Sequence, residues 1–259
     1  MRGNSVLQSL EPPSREIIST PKAMPDLRLP ILAYHQIAVP SRHGTPFRGL
    51  RVHPLIFSRH MRWLARLGYR GLSIRDLAPY ILGEREGKVF GLTFDDGFQN
   101  VLRNAAPILG DLNFTATNYI VAGHVGGANF WDEEKGVPTS RLMNGTELRE
   151  WTALGHEIGA HTIDHADLTC LEQERARAQV RGSRKLLENI IGDEVLAFCY
   201  PYGRYRLEHV DMVREAGFTS AVTTDPGHVR LSSDRHSLPR ISVARSTSFL
   251  MLARKMFVR

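Results

Sequence analysis

From Leu29 onward, short apolar runs alternate along the chain with longer stretches of helical periodicity. ILAYH precedes FSRHMRWLARLG, VFGLTFDDG precedes a helical segment from Phe98 to Leu109, and TATNYIVAG precedes TELREWTALG. Further on, HEIGAHT leads into the long helical LEQERARAQVRGSRKLLENIIG and AFCYPYG into EHVDMVREAG. SAVTTD, LPRISV and a final amphipathic SFLMLARKMFV follow. Strands alternating with helices of this length predict βα units and a mainly parallel sheet. About seven such units favour an α/β barrel over an open, doubly wound sheet. In a parallel βα architecture the functional loops lie at the C-terminal ends of the strands. That rule gathers Asp95, Asp96, His161, Tyr202 and His35 on one rim, because each ends or directly follows a predicted strand. Residues 1–28 carry Pro12, Pro13, Pro21 and Pro25 without sustained periodicity and read as an extended or disordered lead-in; the folded domain is expected over residues 29–259.

Composition narrows the class. With 259 residues, 42% of them hydrophobic and 23% charged, the chain can bury one substantial core. Charged residues interrupt every hydrophobic stretch short of the roughly 18 to 20 apolar residues that a membrane-spanning helix needs, so no transmembrane segment is expected. The N-terminus lacks the apolar region and small-residue cleavage site of a secretory signal, from which a cytoplasmic location is expected. Two cysteines, Cys170 and Cys199, make no disulfide framework and no CxxC metal site, and are expected to be buried, reduced thiols. The formal charge of +6 would help attract an anionic glycan or lipid-linked saccharide. The basic residues are nevertheless scattered among acidic ones, as in RDLAPYILGEREGK and LEQERARAQVRGSRK, which read as solvated helix faces. No basic run interleaves with aromatics, so no nucleic-acid partner is expected.

Three segments carry candidate chemistry. LTFDDGF, residues 92–98, ends a hydrophobic strand in two adjacent carboxylates and a glycine. Adjacent strand residues point to opposite sides, so Asp95 and Asp96 can divide labour between a metal and a substrate, although a DDG turn can also simply cap the next helix. In EIGAHTIDHADL, His161 and His165 stand at i and i+4. That spacing places both on one face of a helical turn, about 5 to 6 Å apart at Cβ, close enough to share one cation. Two histidines and a carboxylate form a facial set for a catalytic divalent metal. FCYPYGRY, residues 198–205, breaks an apolar strand at Pro201, Tyr202 and Gly203. Such a break is either a plain turn or a place for a backbone N–H that stabilises an oxyanion.

In order and spacing these segments resemble the polysaccharide deacetylases of carbohydrate esterase family 4, the NodB homology domain. TFDDG is matched in full by Thr93 to Gly97, and H-[ST]-x-x-H by His161 to His165. The resemblance covers roughly residues 30–245 and implies a distorted (β/α)7 barrel in a single domain. It further implies a metal-dependent hydrolase that removes N-acetyl groups from an N-acetylhexosamine-containing poly- or oligosaccharide, a carbon–nitrogen bond hydrolase. Asp95 is then the general base, and Asp96, His161 and His165 hold the divalent ion, with Zn2+ expected and Co2+ or Ni2+ as alternatives. A metal-bound water is the nucleophile, and the Tyr202 amide helps hold the oxyanion. An O-acetyl esterase on the same fold, and a non-catalytic carbohydrate-binding protein on a decayed one, are the alternative readings.

The departures from the family pattern fall on the helpers of the base and on the acid. Cys199 stands where the third motif usually has the arginine that pairs with the catalytic aspartate, and Tyr200 stands where proline follows. Arg240 in SLPRISV is the candidate substitute, since a guanidinium can hold Asp95 ionised through a bidentate contact. The histidine that the last motif normally supplies as general acid is absent. His35 in ILAYHQI is the candidate in its place, and His236, in the polar loop SSDRHS, is a weaker one. Asp164 could orient a ligand histidine. Trp131 in GGANFWDEEKGVP could stack on a sugar, and Asp225 in TTDPGH lies near the position of a groove-lining aspartate in the fourth motif.

Overall fold

The computed structural model describes residues 28–257, so the lead-in expected over residues 1–28 lies, Arg28 apart, outside the described residues. Ten strands follow one another as β1 (Ile31–Tyr34), β2 (Gln36–Ile37), β3 (Arg51–Val52), β4 (Arg70–Leu72) and β5 (Val89–Phe94), then β6 (Thr117–Ile120), β7 (Glu157–Ala160), β8 (Ala197–Cys199), β9 (Ser220–Pro226) and β10 (Leu238–Ser242). Seven of them run in the order β1-β10-β9-β8-β7-β6-β5, all parallel, and β5 closes the ring on β1 with Ile31 opposite Gly91 and Tyr34 opposite Phe94. Strand β4 wedges beside the first half of β5, pairing at Val89 to Gly91, while β6 pairs with the second half at Thr93 and Phe94. That wedge is the distortion of the barrel. The short parallel pair β2–β3 extends past the end of β1.

The helices are α1 (Pro54–Arg66), α2 (Ile74–Ile81), α3 (Gln99–Asn104), α4 (Ala106–Leu112), α5 (Gly145–Ala153), α6 (Gln173–Ile191), α7 (Leu207–Glu215) and α8 (Phe249–Phe257). The single helix expected from Phe98 to Leu109 is two, because Pro107 has no N–H to continue the ladder and instead occupies the first turn of α4. The charged residues of RDLAPYILGEREGK face solvent as expected, with Arg75, Glu84, Arg85, Glu86 and Lys88 exposed, while Ile74, Leu77, Tyr80 and Ile81 of α2 are buried. Helix α5 starts where its sequence says it should: Asn144 accepts from the Glu147 N–H, and the Glu147 side chain accepts from the Asn144 N–H, a reciprocal cap.

All six residues of β5 are buried, as a strand covered on both faces requires. Phe90, Leu92 and Phe94 belong to the apolar layer shared with the helices, whereas Ile31, Val89, Tyr119, Ala197, Val222 and Leu238 form a second cluster contributed largely by the strands. The two-residue period then assigns Thr93 and Asp95 to the same side as Val89, in the barrel. Gly91, on that side too, is fixed by packing: a Cβ there would stand 2.9 Å from Ile31 Cγ1 and 3.0 Å from Leu77 Cδ2.

Candidate active site

Asp95 is 3% exposed and reaches Arg240, which is 1% exposed. The contact is bidentate, with Arg240 Nη1 donating to Asp95 Oδ1 at 2.7 Å and Nη2 to Oδ2 at 2.8 Å. The remaining guanidinium donors are also used: Nε donates to the Thr223 carbonyl at 2.7 Å, Nη1 to Thr93 Oγ1 at 3.0 Å, and Nη2 to Cys199 Sγ at 3.2 Å. A guanidinium has five N–H groups, and each has a partner here. Burial pushes the Asp95 carboxyl up, but the Arg240 charge and its hydrogen bonds outweigh that and hold it below the usual carboxylate range. A register irregularity between β9 and β10 accompanies the arginine, with Leu238 opposite Val222 but Arg240 opposite Pro226.

Beside this pair, Asp96, His161 and His165 converge. His161 Nε2 lies 3.5 Å and His165 Nε2 3.3 Å from the same Asp96 Oδ1. His161 Nδ1 donates to the Cys199 carbonyl at 2.8 Å, which leaves Nε2 as the ring nitrogen that faces Asp96. Burial pushes Asp96 up, yet the hydrogen bonds from both histidines hold it well below its ordinary value. Burial pushes His165 down, whereas His161, also pushed down by burial, is pulled up further by Cys199 and Asp96. All three residues are buried, and their ligand atoms lie within 4.8 Å of one another. Two imidazole nitrogens and one carboxylate oxygen turned towards a common point, with His165 Nδ1 left buried and unpartnered among the described residues, are a donor set that fits a divalent cation of the zinc class. A second grouping of Asp95, His161 and Cys199 is equally compact, but the Arg240 cation already occupies it.

The local backbone is bent to bring these groups together. Asp96 (φ 76°), Thr162 (φ 63°), His165 (φ 58°) and Tyr202 (φ 59°) all adopt left-handed conformations that cost non-glycine residues about 1–3 kcal/mol each. Gly203 (φ 68°) must be glycine, since a Cβ there would fall 1.7 Å from Thr224 Oγ1. The i, i+4 histidines therefore do not share a helix face as expected: residues 162–164 form a turn after β7, and the rings meet edge to face at 4.9 Å.

These residues open into one cleft of about 90 Å3, lined also by His35, Tyr202, Phe47, Leu50 and Asp132. His35 Nε2 stands 3.9 Å from Asp95 Oδ2. The polysaccharide deacetylase family model matches residues 83–221, more than half of the chain. This chain belongs to the polysaccharide deacetylase family. YxkH of Bacillus subtilis (strain 168) is 28% identical over 223 residues, which is 85% of this chain and 73% of that protein. A Staphylococcus aureus (strain MRSA252) poly-β-1,6-N-acetyl-D-glucosamine N-deacetylase is 23% identical over 201 residues, 73% of this chain and 66% of that protein, so the chain spans about two thirds of that relative. The solved structure of Streptococcus pyogenes deacetylase PplD in complex with acetate superposes at a TM-score of 0.77 and 26% identity, over 89% of this chain and 99% of that one. The barrel of this polysaccharide deacetylase is thus the one its family shares.

Other expected residues lie elsewhere in the deacetylase. Asp164 accepts from Gln179 Nε2 at 2.7 Å instead of orienting a histidine, a task the Cys199 carbonyl performs for His161. Asp225 is exposed and accepts from Tyr205 Oη at 3.0 Å, and its neighbour Thr224 lines the cleft. His236 is held by the Phe218 carbonyl at 2.9 Å, away from the cleft. Trp131 stacks on the His165 ring at 4.8 Å, which buttresses a member of the candidate donor set. Cys199 is buried and free as expected, but Cys170 is exposed. Sequence reading missed Asp132 and Lys135, where Nζ donates to Asp132 Oδ1 at 2.9 Å and sits 4.8 Å over the Tyr202 ring. The acidic-basic spacing in FWDEEK was the available signal. Among the described residues no helix is long and apolar enough to cross a membrane.

Proposed function

We propose that this deacetylase is a metal-dependent hydrolase that removes N-acetyl groups from glycans containing N-acetylhexosamine. The observation that carries the reading is a buried, ionised carboxylate, Asp95, fixed by Arg240 beside the buried donor set Asp96, His161 and His165. The name of the staphylococcal relatives supports an amide-linked acetyl group on poly-N-acetylglucosamine as the substrate.

Asp96, His161 and His165 would hold the ion. When bound, a zinc-like ion supplies Lewis acidity towards the acetyl carbonyl and lowers the pKa of a coordinated water towards about 7. Asp95 takes the proton of the attacking water; each of its oxygens spends one lone pair on Arg240 and keeps another for that proton. Arg240 itself touches no substrate and acts as a positioning residue, fixing the carboxylate's rotamer and charge. His35, on the other side of the carboxylate, delivers a proton to the departing amine. The Tyr202 backbone N–H, on its left-handed turn, stabilises the oxyanion.

The test is acetate release from an N-acetylglucosamine oligomer and from O-acetylated xylan by zinc-loaded protein. Release from the amide substrate alone establishes a sugar N-deacetylase. Release from the ester alone overturns the N-acetyl assignment in favour of an esterase.

A further inference from the structure

Charge is unevenly distributed over this chain. No Asp or Glu occurs between Asp26 and Asp76, a stretch that holds nine arginines and no lysine, and none occurs after Asp234. The structure brings part of this basic sequence to the mouth of the cleft. Phe47 and Leu50 line it, and Arg51 joins them in an adjoining pocket with His35, Asp96 and Asp132. From the end of the chain, the Arg245 N–H donates to the Gly49 carbonyl at 2.8 Å, which sets Arg245 alongside the same loop.

Among the described residues these arginines have no carboxylate partner. Arg48 Nε donates to the Ser41 carbonyl at 2.6 Å and Arg51 Nη2 to Ser140 Oγ at 2.6 Å, neutral contacts that orient the guanidinium without neutralising it. Among the described residues Arg48, Arg51 and Arg245 form no ion pair, whereas Arg62, Arg103 and Arg204 elsewhere are paired with Asp111, Glu147 and Asp167. Of the carboxylates on the neighbouring loop, Asp132 is engaged by Lys135, and Glu133 and Glu134 are exposed. Like charges gathered without counter-ions raise each other's free energy, and an anion placed among them lowers it. Guanidinium groups bind phosphate in bidentate fashion, and its oxygens can accept from several at once.

We propose that this rim is an anion subsite, and that the glycan deacetylated in the cleft carries a phosphate group close to the acetylated sugar. The proposal rests on the deacetylase reading above and adds the charge of its substrate. Arg48, Arg51 and Arg245 hold the phosphate, and the acetylated sugar reaches past Phe47 towards Asp95.

The experiment compares an N-acetylglucosamine tetramer with the same tetramer bearing a reducing-end phosphate. Acetate release gives kcat/KM for each at low and near-physiological salt, and calorimetry with the Asp95→Asn protein gives binding without turnover. The phosphorylated tetramer is expected to be favoured about tenfold, through KM and binding, with the advantage shrinking as salt rises. In the Arg48→Gln, Arg245→Gln double variant that ratio falls to near one, while Arg85→Gln, at the opposite end of the barrel, leaves it in place. A ratio near one in the unaltered protein, or one that survives the double substitution, overturns the proposal. An equal gain from a carboxylated tetramer overturns the phosphate assignment. Absence of acetate release from both tetramers would count against the deacetylase reading, and the binding ratio would still decide this one.

Discussion

Replacing Arg240 by methionine isolates the contact on which the base depends. The substitution keeps an unbranched apolar stem but removes the guanidinium and its five donors, leaving Asp95, the Thr223 carbonyl, Thr93 Oγ1 and Cys199 Sγ without them. Breaking a buried ion pair by removing one partner costs about 3–5 kcal/mol. For a domain of this size that corresponds to a fall in Tm of roughly 10 °C at neutral pH. The pH dependence carries the sign. Asp95 is depressed in the folded protein, so the pair stabilises above the unfolded carboxylate pKa of about 3.9 and the contribution disappears as the pH falls through the folded value. In the variant, Arg240 no longer opposes burial and only His35 and His161 still pull Asp95 down, so its carboxyl rises, and the Tm gap between the two proteins should be widest near pH 7 and narrow as the pH falls to 4 and below. The same rise moves the acid limb of kcat/KM for acetate release towards neutral pH, because a protonated Asp95 cannot accept a proton. Thermal scans and pH–rate profiles of the two proteins provide the check. A methionine variant with the original Tm and an unmoved acid limb would refute the argument that Arg240 sustains the charge on Asp95.

Two further outcomes follow from other groups. His35→Gln should lower kcat by about 10²–10⁴ on an N-acetyl sugar while metal content stays constant, and the loss should shrink on an ester whose leaving group needs no proton; equal losses on both substrates would remove His35 as the acid. His156 is pushed down to about 4 by burial against Trp151, so the unfolded chain binds its proton more readily. Its contribution to stability is therefore full above about pH 6.5 and lost as the pH falls towards 4, a change of about 3 kcal/mol. His156→Phe should flatten that part of the stability curve, as read by denaturant titration at several pH values.

Much of the site was legible because the strand period and the motif order act on the same residues. Asp95 follows the inward side of β5, and its pairing with an inward residue of β10 was available from the need of a buried carboxylate for a counter-ion. Cys199 explains why the substitution works: a small side chain on β8 leaves room for a guanidinium arriving from β10, and accepts one of its N–H groups. The histidine pair was found for the wrong reason, since spacing suggested a helix face and the backbone uses two left-handed residues instead. Such conformations leave little trace in a single sequence when no glycine marks them. The loop carrying Asp132 and Lys135 escaped for a similar reason, having no periodicity to set its position. The break at Pro107 and the burial of α2 were legible in principle, from a proline inside a helical run and from Ile74, Leu77 and Ile81 on one face.

The division of labour in the cleft is tested most directly by measuring zinc content and acetate release together in the unaltered protein, Asp95→Asn and His161→Ala. Asp95→Asn is expected to keep one equivalent of metal with turnover nearly abolished, while His161→Ala loses both. Equal loss of metal in the two variants, or turnover surviving in Asp95→Asn, would contradict that division of labour.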